Sequence, residues 1–181
     1  DADRDAIRGF AGGMYDMVNR YLYDDGEDRD ELRMEYGMGG AGSLDDYMSS
    51  LGHGVSSCSA PEDMIVYRRR YTGYGDYDDG VIGHEEAAFR DAADGDGHYM
   101  KADYSSTSVS PGMIGAGETD STSYVIMVPR GTHGIRVHGT LAEREDEGEF
   151  LLDAGLDYRV VAIHERPCGH PIISLAVVPD A

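Results

Sequence analysis

Apolar residues recur at helical spacing near the front of this chain and gather into short strand-like runs toward its end, an order that restricts the fold more than any single motif. Within residues 5–23, Ile7, Phe10, Met14, Met17, Val18 and Tyr21 fall three and four apart with polar residues between them, which predicts an amphipathic helix. An acidic stretch, 24–31, leads to a second short helical segment around 30–36. The glycine-rich 37–43 then makes a break before a third at 44–51. Past Pro61 the run Met64-Ile65-Val66-Tyr67 reads as a strand leading into Arg68, Arg69 and Arg70, and 73–80 reads as a Gly/Asp/Tyr loop. One more helix, 84–93, carries Ala87, Ala88, Phe89 and Ala92. Strands follow around Tyr104 and at 123–128, 134–138, 148–152, 158–163 and 171–178. Helices first and strands after predict an α+β fold rather than the alternation of a doubly wound one.

Its 181 residues suit a single domain with a full core, and the 40% hydrophobic content is spread along the chain as in folded proteins. The chain opens at Asp1 without a methionine, which is read as a processed product or a part of a longer protein. Its longest apolar run, 172–178, is far short of the roughly 20 residues a spanning helix needs, so no membrane segment is expected. A net charge of -20, from 35 acidic and 15 basic residues, works against binding a nucleic-acid backbone. Lys101 is the one lysine and Arg supplies every other positive charge. That bias resembles proteins adapted to near-saturated salt, where repulsion is screened within about 3 Å at 1 M. The other reading is an acidic protein whose charge serves solubility or draws a basic partner. Cys58 and Cys168 allow one long-range disulfide and no framework.

Residues 37–42 satisfy G-x-G-x-x-G in form, but a helical segment precedes them where the dinucleotide fingerprint needs a strand, so they read as a Gly-rich loop. His164, Cys168 and His170 are too few and too irregularly spaced for a closed zinc site, and a turn at Pro167 and Gly169 accounts for them. Three other segments stand in order at predicted strand edges: Tyr67-Arg68, Ser106-Thr107-Ser108, and Glu147-Gly148-Glu149 before Phe150-Leu151-Leu152. Each alone has an ordinary reading, as a solvated arginine face, a polar loop and an exposed strand.

Together they resemble the arginine, serine and glutamate series of the ADP-ribosyltransferases related to the clostridial binary toxins and the vertebrate ecto-enzymes. The flanks match too: 128–132 resembles the family's strand and turn before the glutamate strand, 149–155 with 158–160 resembles the glutamate segment and the next strand, and Ala6-Ile7, Tyr15 and Asn19-Arg20 resemble its N-terminal helix. The resemblance implies N-terminal helices packed on two small, mostly antiparallel β-sheets, with NAD bound as substrate in the cleft between them and no metal. Arg68, with Arg69 as a second contact, is then placed on the two phosphates, which a planar guanidinium fork suits better than an ammonium. Glu149 is carried over as the carboxylate that stabilises the oxocarbenium-like state when the nicotinamide–ribose bond breaks. Ser106 braces that glutamate and the nicotinamide pocket, while Thr107 and Ser108 shape the strand.

Glu147, two residues before Glu149 and on the same face of a strand, is placed toward the acceptor. In the family a Glu there goes with arginine as target and a Gln with other acceptors. Two departures stand out: after the serine motif the chain offers Pro111, Met113 and Ile114 where relatives often stack an aromatic ring on nicotinamide, and 143–146 is charged where an aromatic residue often helps select the acceptor. The expected activity is transfer of ADP-ribose from NAD to a protein arginine, by a secreted toxin or virus-delivered effector of a salt-adapted microbe. The alternatives are an NAD glycohydrolase and a non-catalytic structural or NAD-binding module of a virion or secreted assembly.

Overall fold

The helix expected over residues 5–23 forms, with a bend. In a computed structural model, which describes residues 2–23, 32, 34, 43–71, 76–113, 121–138, 148–167 and 169–179, α1 (Ala2–Gly9) passes through a wide turn (Phe10–Met14) into α2 (Tyr15–Tyr23). The bend lies at Gly13, whose φ of 120° is open to glycine and costly for other residues. The three-and-four spacing survives it: Ile7, Phe10, Met17 and Val18 are at most 5% exposed. Next, α3 (Leu44–Ser56) starts at a capping box in which Ser43 Oγ accepts from Asp46 N and Asp46 Oδ2 accepts from Ser43 N, satisfying two otherwise orphaned donors. It packs closely on α1. A Cβ at Gly54 would sit 3.0 Å from Ile7 Cδ1, Tyr47 Oη donates to the Ala6 carbonyl at 2.8 Å, and His53 Nδ1 lies 2.6 Å from Asp3 Oδ2.

These helices belong to the first of two compact units, Asp1–Ser59 with Ala102–Ser106 and His133–Gly155. Its core joins Ile7, Phe10, Val18, Leu51 and Val55 to Tyr104, Val137 and Leu151. Truncating a fully buried leucine such as Leu51 to alanine costs about 2–5 kcal/mol. Its strands β5 (Gly134–Arg136) and β6 (Glu149–Leu152) pair antiparallel with Gly134 opposite Leu152. Gly134 has no room for a side chain: a Cβ there would meet Phe150 Cε1 at 2.6 Å and the Leu151 carbonyl at 2.8 Å.

The second unit, Ala60–Lys101 with Thr107–Thr132 and Leu156–Ala181, holds β1 (Met64–Tyr71), α4 (Asp76–Asp94), β2 (His98–Lys101), β4 (Ser121–Val128), β7 (Leu156–His164) and β8 (Ile172–Val177). Its ladder runs β2-β7-β8-β4-β1, antiparallel except for the parallel pair β4–β8. Helix α4 packs Phe89 edge-on to Tyr99, with ring centroids 4.9 Å apart, and against Tyr124 at 5.9 Å. The fold is α+β. No helix among the described residues is long and apolar enough to cross a membrane.

Three local expectations change. Helix α4 begins at Asp76, inside the stretch read as a loop, because its buried stripe is Ile82, Glu85, Phe89 and Ala92, with a carboxylate where the pattern needed an apolar residue. Strand β1 runs on through all three arginines to Tyr71, each paired in register with a residue of β4. The strand expected around Tyr104 is instead two, β2 and β3 (Ser105–Ser108), and Tyr104 lies between them in the core with its ring 5.7 Å from that of Phe10.

Candidate active site

Strand β3 passes from one unit to the other: Ser105 and Ser106 belong to the first, Thr107 and Ser108 to the second. Ser105, Thr107 and Ser108 are buried and Ser106 is exposed, so the strand's packing presents one hydroxyl outward. Ser106 Oγ donates to Glu149 Oε1 at 2.5 Å, at the short end of the range for a hydroxyl on a carboxylate. Glu149 is the half-buried first residue of β6, and Phe150, Leu151 and Leu152 behind it are at most 2% exposed. An anchored strand thus holds the carboxylate, and the serine fixes its rotation. Two carboxylate oxygens offer about four lone-pair sites, so the group can take the Ser106 proton and still accept from a substrate hydroxyl.

The turn into β6 is made by Gly148 at φ 57°, in the left-handed region that favours glycine. Extended backbone begins at Glu149, and Glu147 lies outside the described residues. So do the Gly-rich 37–42, Ile114, the charged loop 143–146, and Cys168 with its pairing to Cys58.

In the second unit, Arg68 stands opposite Tyr124, Arg69 opposite Ser123 and Arg70 opposite Thr122. Alternation sets Arg68 and Arg70 on one face of β1 and Arg69 on the other. The run is not a solvated face: all three are half-buried, and Arg70 Nη1 lies 2.6 Å from Oε2 of Glu85, itself 2% exposed. Lys101 Nζ, also buried, lies 3.5 Å from Glu85 Oε1. Tyr124 senses this cluster. Burial pushes its hydroxyl well above the ordinary phenol range, Glu85 pushes it further, and Arg70 and Arg68 oppose the rise. Arg68 therefore leaves β1 on the face where α4 supplies balancing carboxylates.

Ser108 Oγ accepts from Ser110 N at 3.0 Å and shapes the strand's exit. His170 Nδ1 lies 2.7 Å from Glu86 Oε1, to which Thr122 also donates. Arg70, Glu85 and Lys101 do not figure among the site residues expected from sequence. A single lysine in the chain, and a glutamate at a stripe position of α4, were the available signals.

The family model for the ADP-ribosyltransferase exoenzyme matches residues 1–171. No curated protein matches the chain in sequence. Among solved structures it is similar to an S. aureus protein determined with NAD, at 20% identity and a TM-score of 0.66 over 99% of this chain and 87% of that one. An ADP-ribosyltransferase of Clostridium botulinum gives 16% identity and a TM-score of 0.65 over 98% of this chain and 86% of that one. The ADP-ribosylating toxin BECa of C. perfringens, determined with NADH, gives 18% and 0.64 over 98% of this chain and 43% of that one. The shared fold, the match along nearly the whole chain and the Ser106–Glu149 pair agree: this chain belongs to the ADP-ribosyltransferase exoenzyme family, which uses NAD as its substrate.

Proposed function

We propose that the chain is an active transferase that splits NAD and passes its ADP-ribose to a protein arginine, releasing nicotinamide. The observation that carries this reading is the 2.5 Å hydrogen bond from Ser106 to Glu149, a carboxylate held at the start of a strand whose following residues are locked in a core. As the bond between ribose C1′ and the nicotinamide nitrogen lengthens, its electron pair leaves with nicotinamide and positive charge grows on the ribose. Glu149, hydrogen-bonded to a ribose hydroxyl, stabilises that charge more in the transition state than in the ground state. Arg68 holds the diphosphate. A guanidinium nitrogen of the target then bonds to C1′ and gives up a proton, and Glu147 orients it. Water is the slower competing acceptor. An exoenzyme family supports a secreted or delivered role, and the acidic composition supports work in concentrated salt.

Incubation with labelled NAD and a host lysate in molar salt tests the reading. Wild type should place a hydroxylamine-labile label on protein, and Glu149→Gln should place none. Glu147→Gln should keep nicotinamide release and lose the label, whereas equal loss of both would reject its assignment to the acceptor. No label and no nicotinamide release from a folded wild-type protein would overturn the proposal and leave a binding module.

A further inference from the structure

The only lysine of the chain and a glutamate at a core position of α4 meet within the second unit, next to the arginines of β1. Glu85 is 2% exposed; its Oε2 lies 2.6 Å from Arg70 Nη1 and its Oε1 lies 3.5 Å from Lys101 Nζ, so each oxygen has a cation. Glu86, next to it, is engaged by Thr122 and His170. Burying ions in this way is commonly no more stabilising than filling the same space with apolar side chains, so the fold alone gives no reason for the cluster. Its place along β1 does. Register pairs Arg68 with Tyr124 and Arg70 with Thr122, and alternation puts both arginines on the face toward α4. They stand about 7 Å apart along the strand, two like charges on half-buried side chains. Glu85 lies against the second of them. The buried Tyr124 hydroxyl reports on the same ground: after burial itself, Glu85 raises its pKa, and Arg70 and Arg68 oppose the rise, so the carboxylate and both guanidinium groups act on one hydroxyl. Arg70 is one residue from the end of β1, and its tie to α4 fixes the part of the strand from which Arg68 projects.

We propose that Glu85 is a positioning residue for NAD binding: by holding Arg70 against α4 it balances the neighbouring charge and sets the direction in which Arg68 meets the diphosphate. The inference rests on the function proposed above, in which Arg68 holds that diphosphate. Glu85 acts through Arg70 and does not itself touch substrate. Removing its charge weakens the compensation of Arg70, and the repulsion between the two guanidinium groups grows.

The test titrates ADP-ribose, which carries the diphosphate, and nicotinamide, which does not, separately into the whole protein and its variants, at a temperature where melting curves show each of them folded. NAD kinetics follow on the same set. Glu85→Gln keeps the shape and removes the charge. It should weaken ADP-ribose binding about tenfold, leave nicotinamide unchanged and raise KM for NAD by a like factor with kcat unchanged, the pattern of lost uniform binding. Arg70→Gln, which cuts the same tie from β1, should do the same, and Glu85→Asp, which keeps the charge, should recover part of the loss. Phe89→Leu loosens the packing of α4 without touching a charge and should bind both ligands as wild type does. ADP-ribose affinity that is unchanged in folded Glu85→Gln, or that falls equally for nicotinamide or equally in Phe89→Leu, overturns the role and leaves the proposed function standing. Unchanged ADP-ribose binding in Arg68→Gln sinks the diphosphate assignment and the role with it. Glu85-dependent ADP-ribose binding without nicotinamide release from NAD keeps the role and sinks the proposed function instead.

Discussion

The carboxylate at the head of β6 and the arginines of β1 are held in place by opposite means. Glu149 rises from an apolar core: the residues behind it are Phe150, Leu151 and Leu152, and it accepts a hydrogen bond from Ser106. The arginines stand over a core that contains ions, with Arg70, Glu85 and Lys101 in contact beneath them and Thr122 and Glu86 alongside. The residues behind this carboxylate are apolar, so the fold there does not depend on its charge. A strand that carries three positive charges cannot be half-buried at all unless carboxylates are buried with it. The first region can thus lose its chemistry with little loss of fold, and the second couples the two.

The largest expected effect sharpens that contrast. Glu149→Gln keeps shape and an acceptor oxygen but removes the charge, and nicotinamide release should drop by about 10³-fold or more with the melting temperature unchanged. A melting temperature that fell as well would place Glu149 in the framework and blur the comparison. Next is Glu85→Leu, which removes a buried acid in contact with both Arg70 and Lys101. Breaking a buried ion pair from one side costs about 3–5 kcal/mol, so urea unfolding should shift by that amount. A neutral result would mean that water reaches the cluster. Third, Ser106→Ala should lower kcat about 10- to 100-fold, the worth of one hydrogen bond to a charged group, and leave stability within about 0.5 kcal/mol. A loss of stability as large as that from Glu85→Leu would erase the distinction between the regions.

How much of this could be read from residues alone divides along the same line. The N-terminal helix announced itself through the spacing of Ile7, Phe10, Met17 and Val18, and the later strands through their alternation, because each signal is local. Ser106 and Glu149 stood out as members of a motif, yet they are 43 positions apart, and no periodicity says that their side chains touch. Arg70 and Glu85 are 15 apart on different elements. The glutamate hid the stripe of α4 by putting a charge at a core position, and the arginine run looked like surface because charged residues are seldom buried. What was missed is what depends on a partner from another element.

The smallest effect expected concerns an acid of the first unit that burial strains. Asp153 follows β6, and burial raises its carboxyl above the ordinary range, an effect opposed by the bond from Ala154 N at 2.8 Å and by His133. A carboxyl whose pKa is higher folded than unfolded binds its proton more tightly when folded. Its charge therefore costs stability, and the cost appears as pH rises from the ordinary aspartate value through the raised one. Below that window both states are protonated and the cost vanishes. Asp153→Asn keeps an oxygen for Ala154 N and removes the charge, so it should raise the melting temperature at neutral pH by about a degree or two and by nothing at the acid end. Tyr104 gives an independent reading: burial first and Asp153 second push its hydroxyl up to about 12, so its alkaline titration should move down in the variant. If the stability gain persisted unchanged in acid, it would come from altered packing, and the first unit would carry no charge cost at this position. Its contrast with the ion-bearing core beneath β1 would then be sharper still.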